Sequence, residues 1–212
     1  MLRVFCFPYA GGGASIYRKW QTYFGDKIGI YPIQLPGRED RIMDPPIDDI
    51  NIFIKEVTQE LFDYKEKTCI FFGHSLGGRL AYAIASQSAE VVPIKSLIVS
   101  ASPAPDCEVK KVSQLDDEKF VKELIRLNAT PKEIIDNKEI LKLFMPMLKA
   151  DYKLDDSVDY KSFGTLNIDI WGIQGSEDIE VGKEDLRKWD KYTTREFRLK
   201  TIEGNHFLLK MR

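Results

Sequence analysis

Between Thr68 and Ala85 the chain has very few backbone arrangements open to it. Thr68-Cys69-Ile70-Phe71-Phe72 is a short apolar run without a breaker, which predicts a fully buried strand. Arg79-Leu80-Ala81-Tyr82-Ala83-Ile84-Ala85 is alanine-rich and predicts a helix. Joining them is Gly73-His74-Ser75-Leu76-Gly77. G-x-S-x-G between a strand and a helix forces so sharp a turn that the serine is held strained, with its hydroxyl projecting. Glycine is needed at 73 and 77 because a Cβ there would collide with the crossing backbone. The bare pattern arises by chance in about one chain in fifteen of this size, so the flanking strand and helix carry the argument. They make Ser75 a predicted nucleophile rather than a serine in a glycine-rich turn.

A hydrolytic serine needs a base, and the chain has only two histidines. His74 is next to Ser75 on the turn, where its ring points away from the hydroxyl. His206, in Glu203-Gly204-Asn205-His206-Phe207, follows the strand-like run Glu196-Phe197-Arg198-Leu199-Lys200. A lone histidine is more often structural, but as the one candidate base it is predicted to take the serine proton and return it to the leaving group.

The third group should be a carboxylate between serine and histidine in sequence, the order of α/β-hydrolases. Leu166-Asn167-Ile168-Asp169-Ile170-Trp171-Gly172-Ile173 reads as a strand, and Gln174-Gly175-Ser176-Glu177-Asp178 as the turn leaving its carboxyl end. Functional groups of open α/β sheets gather at that edge. Asp178 is the favoured candidate, mainly from the family resemblance given below, with Glu177 a close competitor and Asp169 placed inside the strand. For the oxyanion, one donor should be the backbone N–H of Leu76. The other should come from Phe7-Pro8-Tyr9-Ala10-Gly11-Gly12-Gly13, where glycines allow close backbone approach, with Ala10 the chosen donor. A phosphate-cradling loop is the rival reading. It lacks both a following Gly-Lys-Ser/Thr and a Gly-x-Gly-x-x-Gly.

At 212 residues the chain suits a single domain, and 43% apolar with 30% charged residues is ordinary for a globule. A net charge of −2 argues against a nucleic-acid or general membrane binder. Met1-Leu2-Arg3-Val4 runs straight into a strand rather than a signal peptide. Cys6, Cys69 and Cys107 are odd in number and scattered, so they read as reduced thiols of a cytoplasmic protein, and no metal-ligand spacing appears among them.

Strand-like runs recur near 2–8, 29–34, 68–73, 96–101, 167–173 and 195–201, separated by helical stretches around 15–24, 47–63, 76–88 and 182–190. This alternation predicts an α/β fold with a mostly parallel sheet covered on both faces. From about 104 to 164 the signal is purely helical. Ser113 with Asp116 resembles a capping box ahead of Phe120, Val121, Leu124 and Ile125. Thr130-Pro131-Lys132-Glu133 is a better one, with Pro at the first helical position. A third helix is predicted from about 138 to 149, kinked at Pro146. Such an insertion would sit above the sheet edge bearing Ser75, as a lid over an acyl channel or as an ornament completing the core.

Together these segments resemble the type II thioesterases, stand-alone editing hydrolases of nonribosomal peptide and polyketide synthesis. The similarity rests on Phe7-Pro8-Tyr9-Ala10-Gly11-Gly12-Gly13-Ala14 with Tyr17 and Trp20, and on Gln34-Leu35-Pro36-Gly37-Arg38-Glu39 with Arg41. It continues through Gly73 to Gly78, Thr130-Pro131, Ala150-Asp151-Tyr152, Gly175 to Asp178, and Gly204-Asn205-His206-Phe207. The resemblance implies an α/β-hydrolase fold with a helical lid. It also implies a triad of Ser75, Asp178 and His206, and oxyanion donors at Ala10 and Leu76. The implied substrates are acyl thioesters on the phosphopantetheine arm of acyl or peptidyl carrier proteins, with no cofactor on the enzyme itself and a monomeric state.

Two features depart from the family's pattern. Leu76-Gly77-Gly78 stands where Met-Gly-Ala is commoner, which leaves the donor N–H in place. Relatives usually continue through a closing helix, whereas this chain ends six residues after His206, which implies a missing or short C-terminal helix. The same triad would also serve a small-molecule carboxylesterase or an acyl-CoA thioesterase, and the fold alone would serve a non-catalytic binding protein. Docking of an acidic carrier would need a local basic patch, for which Lys110, Lys111, Lys122 and Arg126 are the residues expected, unless they are solvated-face charges.

Overall fold

The computed structural model describes residues 1–128 and 130–210. In chain order its elements are β1 (Leu2–Phe7), α1 (Trp20–Phe24), β2 (Ile28–Pro32), α2 (Ile50–Leu61), β3 (Cys69–His74), α3 (Leu76–Ser88) and β4 (Ile94–Ser100). They continue with α4 (Asp117–Leu127), α5 (Lys132–Ile135), α6 (Lys138–Asp156), β5 (Asp169–Gly175), α7 (Lys183–Arg187) and β6 (Phe197–Ile202). The six strands form one sheet in the order β2-β1-β3-β4-β5-β6, every pair parallel.

Strand periodicity decides what each face buries. Phe5, Phe7 and Phe71 point to one side, where α3 packs, with Leu97, Val99 and Ile170 in the same cluster. Cys6 and Phe72 point to the other, against Tyr17, Trp20 and Ile173. Burial on both faces is why these strands read as continuous apolar runs rather than alternating ones. Helix α3 is buried along nearly its whole length. The chain goes outward from β1 to β2 and then crosses to β3 on β1's other side. Loops leaving the carboxyl ends of β1 and β3 therefore diverge, and a crevice opens between them. The Pro8–Gly13 loop and the Ser75 turn are those two loops.

Several helices differ in extent from the sequence expectation. The stretch at 15–24 is a 3₁₀ turn, Ala14–Tyr17, followed by the short α1. Helix α2 starts only at Ile50, where the Asp49 side chain accepts the Asn51 N–H. The stretch at 182–190 is α7 followed by a 3₁₀ turn, Lys188–Tyr192.

In the insertion Asp116, not Ser113, caps α4, its carboxylate accepting the Lys119 N–H at 2.9 Å. Ser113 sits in a 3₁₀ turn, its N–H bonded to Asp156. Pro131 occupies the cap of α5 rather than its first turn, and that helix is a single turn. Asn137 caps α6, which runs on to Asp156 with Pro146 inside it. The insertion plays two parts. Leu154 and Tyr160 join the main core, while Phe120, Leu124, Met147, Leu148 and Val112 build a small core of their own. Among the described residues no helix is long and apolar enough to cross a membrane.

Candidate active site

Ser75 sits between β3 and α3 with φ 54° and ψ −123°, a left-handed conformation that a side chain adopts only when its surroundings enforce it. Its N–H donates to the Ser100 carbonyl at 2.8 Å, and its own carbonyl accepts the Gly78 N–H at 3.0 Å. A Cβ at Gly73 would meet the Gly77 carbonyl, and one at Gly77 would meet the carbonyls of Phe7 and Pro8, in each case well under 3.0 Å. The second of these contacts presses the loop after β1 against the first turn of α3. His74 is fully buried, its Nδ1 3.0 Å from Ser100 Oγ.

The structure brings Ser75, His206 and Asp178 together across 131 and 28 residues of sequence. His206 Nε2 lies 3.2 Å from Ser75 Oγ, and its Nδ1 lies 3.0 and 3.2 Å from the two Asp178 oxygens. An ionised carboxylate only accepts, so Nδ1 carries the ring proton and Nε2 presents its lone pair to the serine. Burial pushes the Asp178 carboxyl up. The hydrogen bond and charge of His206 and the N–H groups of Val181 and Glu180 outweigh it, leaving the carboxyl below the usual range. Those two N–H groups reach Oδ1 at 3.1 and 2.9 Å, and the Asp178 side chain is wholly inaccessible to solvent. The loops bearing acid and base are tied together by Ser176 N–H to Ile202 and Glu177 N–H to Gly204, both 2.8 Å. Glu177 itself is exposed. Asp169 begins β5, its Oδ1 accepting the Glu196 N–H.

A cavity of about 300 Å³ opens over these groups, and both Ala10 and Leu76 line it beside Ser75 and His206. Leu76 is the first residue of α3, where unpaired N–H groups and the helix dipole favour negative charge. Tyr9, Arg79, Cys107, Tyr152 and Glu180 also line it, and the sequence reading assigned none of them a part. Arg79 left one signal: a charge inside the otherwise apolar and small-residue face of α3. Cys107 is a poor rival to Ser75, because burial and the nearby Asp185 carboxylate raise its thiol and so disfavour the thiolate.

The expected basic patch is not a patch of free cations. Lys110 pairs with Glu123 at 2.7 Å, Lys122 with Glu118 at 2.7 Å, and Arg126 with both Glu123 and Glu180. Only for Lys111, exposed before Val112, is no such pairing seen among the described residues. Glu118 and Glu123 are within 13 residues of their partners, but Glu180 lies 54 residues from Arg126, beyond what local charge spacing can show.

The geometry is that of an acyl-transfer site, and the comparisons agree with it. Residues 2–211 match the family model described as Thioesterase domain. The chain is 34% identical to Linear gramicidin dehydrogenase LgrE of Brevibacillus parabrevis, over 97% of this chain and 81% of that protein. It is 34% identical to Gramicidin S biosynthesis protein GrsT of Aneurinibacillus migulanus, over 98% and 83%. The first of those names describes that protein alone, and the Gly11-Gly12-Gly13 run here lacks the spacing of a dinucleotide-binding loop. Among solved structures, the RedJ thioesterase from the prodiginine pathway of Streptomyces coelicolor superposes with a TM-score of 0.89 at 29% identity, covering 98% of this chain and 84% of that one. With its parallel sheet, Ser75 turn and matched length, this chain has the α/β-hydrolase fold and belongs to the thioesterase family.

Proposed function

We propose that this protein hydrolyses acyl thioesters carried on the phosphopantetheine arm of carrier proteins, clearing aberrant acyl groups in nonribosomal peptide or polyketide synthesis. One observation supports the reading above others: the chain of contacts from Ser75 Oγ through His206 to buried Asp178, opening onto a cavity. The names of GrsT and RedJ point to the same kind of pathway.

In this reading His206 Nε2 takes the Ser75 proton as Oγ attacks the thioester carbonyl. Asp178 holds the ring's tautomer and stabilises the imidazolium without taking a proton. The N–H groups of Ala10 and Leu76 receive the developing oxyanion. The carrier sulfur then leaves, taking the proton from His206 as it goes, so that an acyl-Ser75 ester remains beside a neutral imidazole. Water activated by His206 attacks that ester, and the free acid departs as the proton returns to Ser75. No cofactor enters these steps. The partner would be a carrier protein, the enzyme a monomer, and the compartment the cytoplasm.

The test is to incubate the protein with an acyl-loaded carrier and follow the carrier's mass. Loss of the acyl group from the wild type and retention with Ser75→Ala supports the reading. Retention with both, while a small ester is cleaved, would favour a carboxylesterase instead.

A further inference from the structure

The loop that supplies Ala10 is soft by composition, with three glycines in succession and Gly11 at φ 78°. An oxyanion donor has to be held to within about half an ångström to act. Side chains from elsewhere in the fold hold the backbone on the carboxyl side of Ala10 at four polar atoms. The Gly11 N–H donates to Asp151 Oδ2 at 2.7 Å, and the Gly12 carbonyl accepts from Arg38 Nη1 at 3.0 Å. Two residues on, the Ala14 N–H donates to Gln34 Oε1 at 2.9 Å and the Ser15 N–H to Glu39 Oε2 at 3.1 Å.

The two innermost anchors are themselves locked together. Arg38 donates to both Asp151 oxygens, each at 2.6 Å, in a bidentate pair. The side chains are 5% and 2% exposed, so salt and water scarcely screen them. Arg38 Nε also donates to the Pro36 carbonyl at 3.2 Å, which fixes the guanidinium plane. Asp151 lies on α6, 113 residues away from Arg38, and lines the cavity. A buried ion pair on its own adds little net stability over apolar residues of similar size. Its placement one residue from an oxyanion donor gives it a different use.

We infer that Arg38 and Asp151 are positioning residues for the Ala10 N–H, so that helix α6 sets the geometry of the oxyanion site rather than merely covering it. The inference rests on the serine-hydrolase reading above. Asp151→Asn keeps the size of the side chain but loses the bidentate charge pair. Arg38→Met with Asp151→Leu removes both charges, leaving no buried ion unpaired, and serves if the single variant folds poorly.

Each variant is assayed with an S-acyl N-acetylcysteamine thioester, and its affinity is measured for a matching trifluoromethyl ketone and for the corresponding secondary alcohol. The ketone forms an oxyanion adduct with Ser75, and the alcohol does not. The expected result is a loss in kcat of about 10²-fold or more with KM changed by less than about twofold. Ketone affinity should fall in parallel while alcohol affinity stays at the wild-type level. The inference is overturned if a folded variant keeps wild-type kcat and ketone affinity, or loses ketone and alcohol affinity equally. If the wild type neither turns over the thioester nor binds the ketone, the hydrolase reading itself fails, a result separate from either of these.

Discussion

Arg126 grips Glu180 through two parallel hydrogen bonds of 2.6 and 2.8 Å, joining helix α4 to the turn that carries Asp178. The same guanidinium reaches Glu123 at 2.8 and 3.1 Å, and the Glu180 N–H is one of the donors to Asp178. Helix α4 is otherwise held by Phe120 and Leu124 in the small core of the insertion and by the pairs Lys110–Glu123 and Lys149–Asp117. Bidentate pairs of this kind are among the stronger surface ion pairs. Arg126→Met should therefore quicken hydrogen exchange of amides 117–127 by roughly fivefold, with α3 unchanged. Unaltered exchange in α4 would mean that its apolar contacts and remaining ion pairs hold the helix without Arg126.

Ser75→Ala removes one oxygen and leaves the strained turn in place. Turnover of a thioester should fall by about four or more powers of ten, with a melting temperature within about 3 °C of wild type. Residual activity above roughly a tenth of wild type would place the nucleophile elsewhere.

Asp178→Asn and Glu177→Gln are adjacent, isosteric changes with very different consequences in this geometry. The Asp178 side chain accepts from His206 and is wholly inaccessible, whereas Glu177 is exposed. The amide at 178 would favour the wrong tautomer of His206 and should lower kcat by about 10⁴-fold, as in triads generally. Glu177→Gln should change it by less than about twofold, as exposed substitutions do. Equal losses would show that the carboxylate was misassigned.

What could be read from the sequence divides by the range of the interaction. The strands were legible from local pattern, β1 and β3 as largely apolar runs and β6 as an alternation of Phe197 and Leu199 with exposed Arg198 and Lys200. The turn at Ser75 was legible because Gly73 and Gly77 answer to backbone crossing within a few residues. The caps of the insertion were less so. Ser113 and Asp116 are both good capping residues, and only the packing of Ser113 against Asp156 decides between them. The basic residues of α4 misled for a related reason, since Glu180 reaches Arg126 from another element altogether. Arg38 and Asp151 could be noticed as parts of two motifs, but nothing in either motif says that the two meet.

Acid should weaken the protein partly through Asp178. Its folded pKa lies below the ordinary value, mainly because of His206 and two backbone donors acting against burial. A carboxyl lowered in this way stabilises the fold fully above its unfolded pKa of about 3.9, and the contribution fades as pH falls through the folded value. The melting-temperature gap between wild type and Asp178→Asn should thus be widest near pH 7 and narrow below about pH 3.9. A gap independent of pH would show that the group is not depressed in the folded state.

Gly77→Ala and Gly164→Ala compare two kinds of glycine requirement. At Gly77 the added methyl would run into the carbonyls of Phe7 and Pro8, backbone atoms that belong to β1 and the oxyanion loop. Neither can move without shifting β1 or opening the Ser75 turn, so no rotamer change relieves the clash. At Gly164, φ is 73° and ψ −154°, and nothing lies within 4 Å, so the methyl meets only the intrinsic strain of a backbone region essentially confined to glycine. That strain is worth about 1–3 kcal/mol, whereas a backbone collision belongs with the exceptional losses of about 4 kcal/mol or more. Denaturant titration should accordingly find Gly164→Ala folded and active with a modestly lower midpoint, and Gly77→Ala unfolded or without turnover. Near-equal midpoints would mean that the β1 loop and α3 are not pressed together, and with that the placement of Ala10 beside Ser75 would fall.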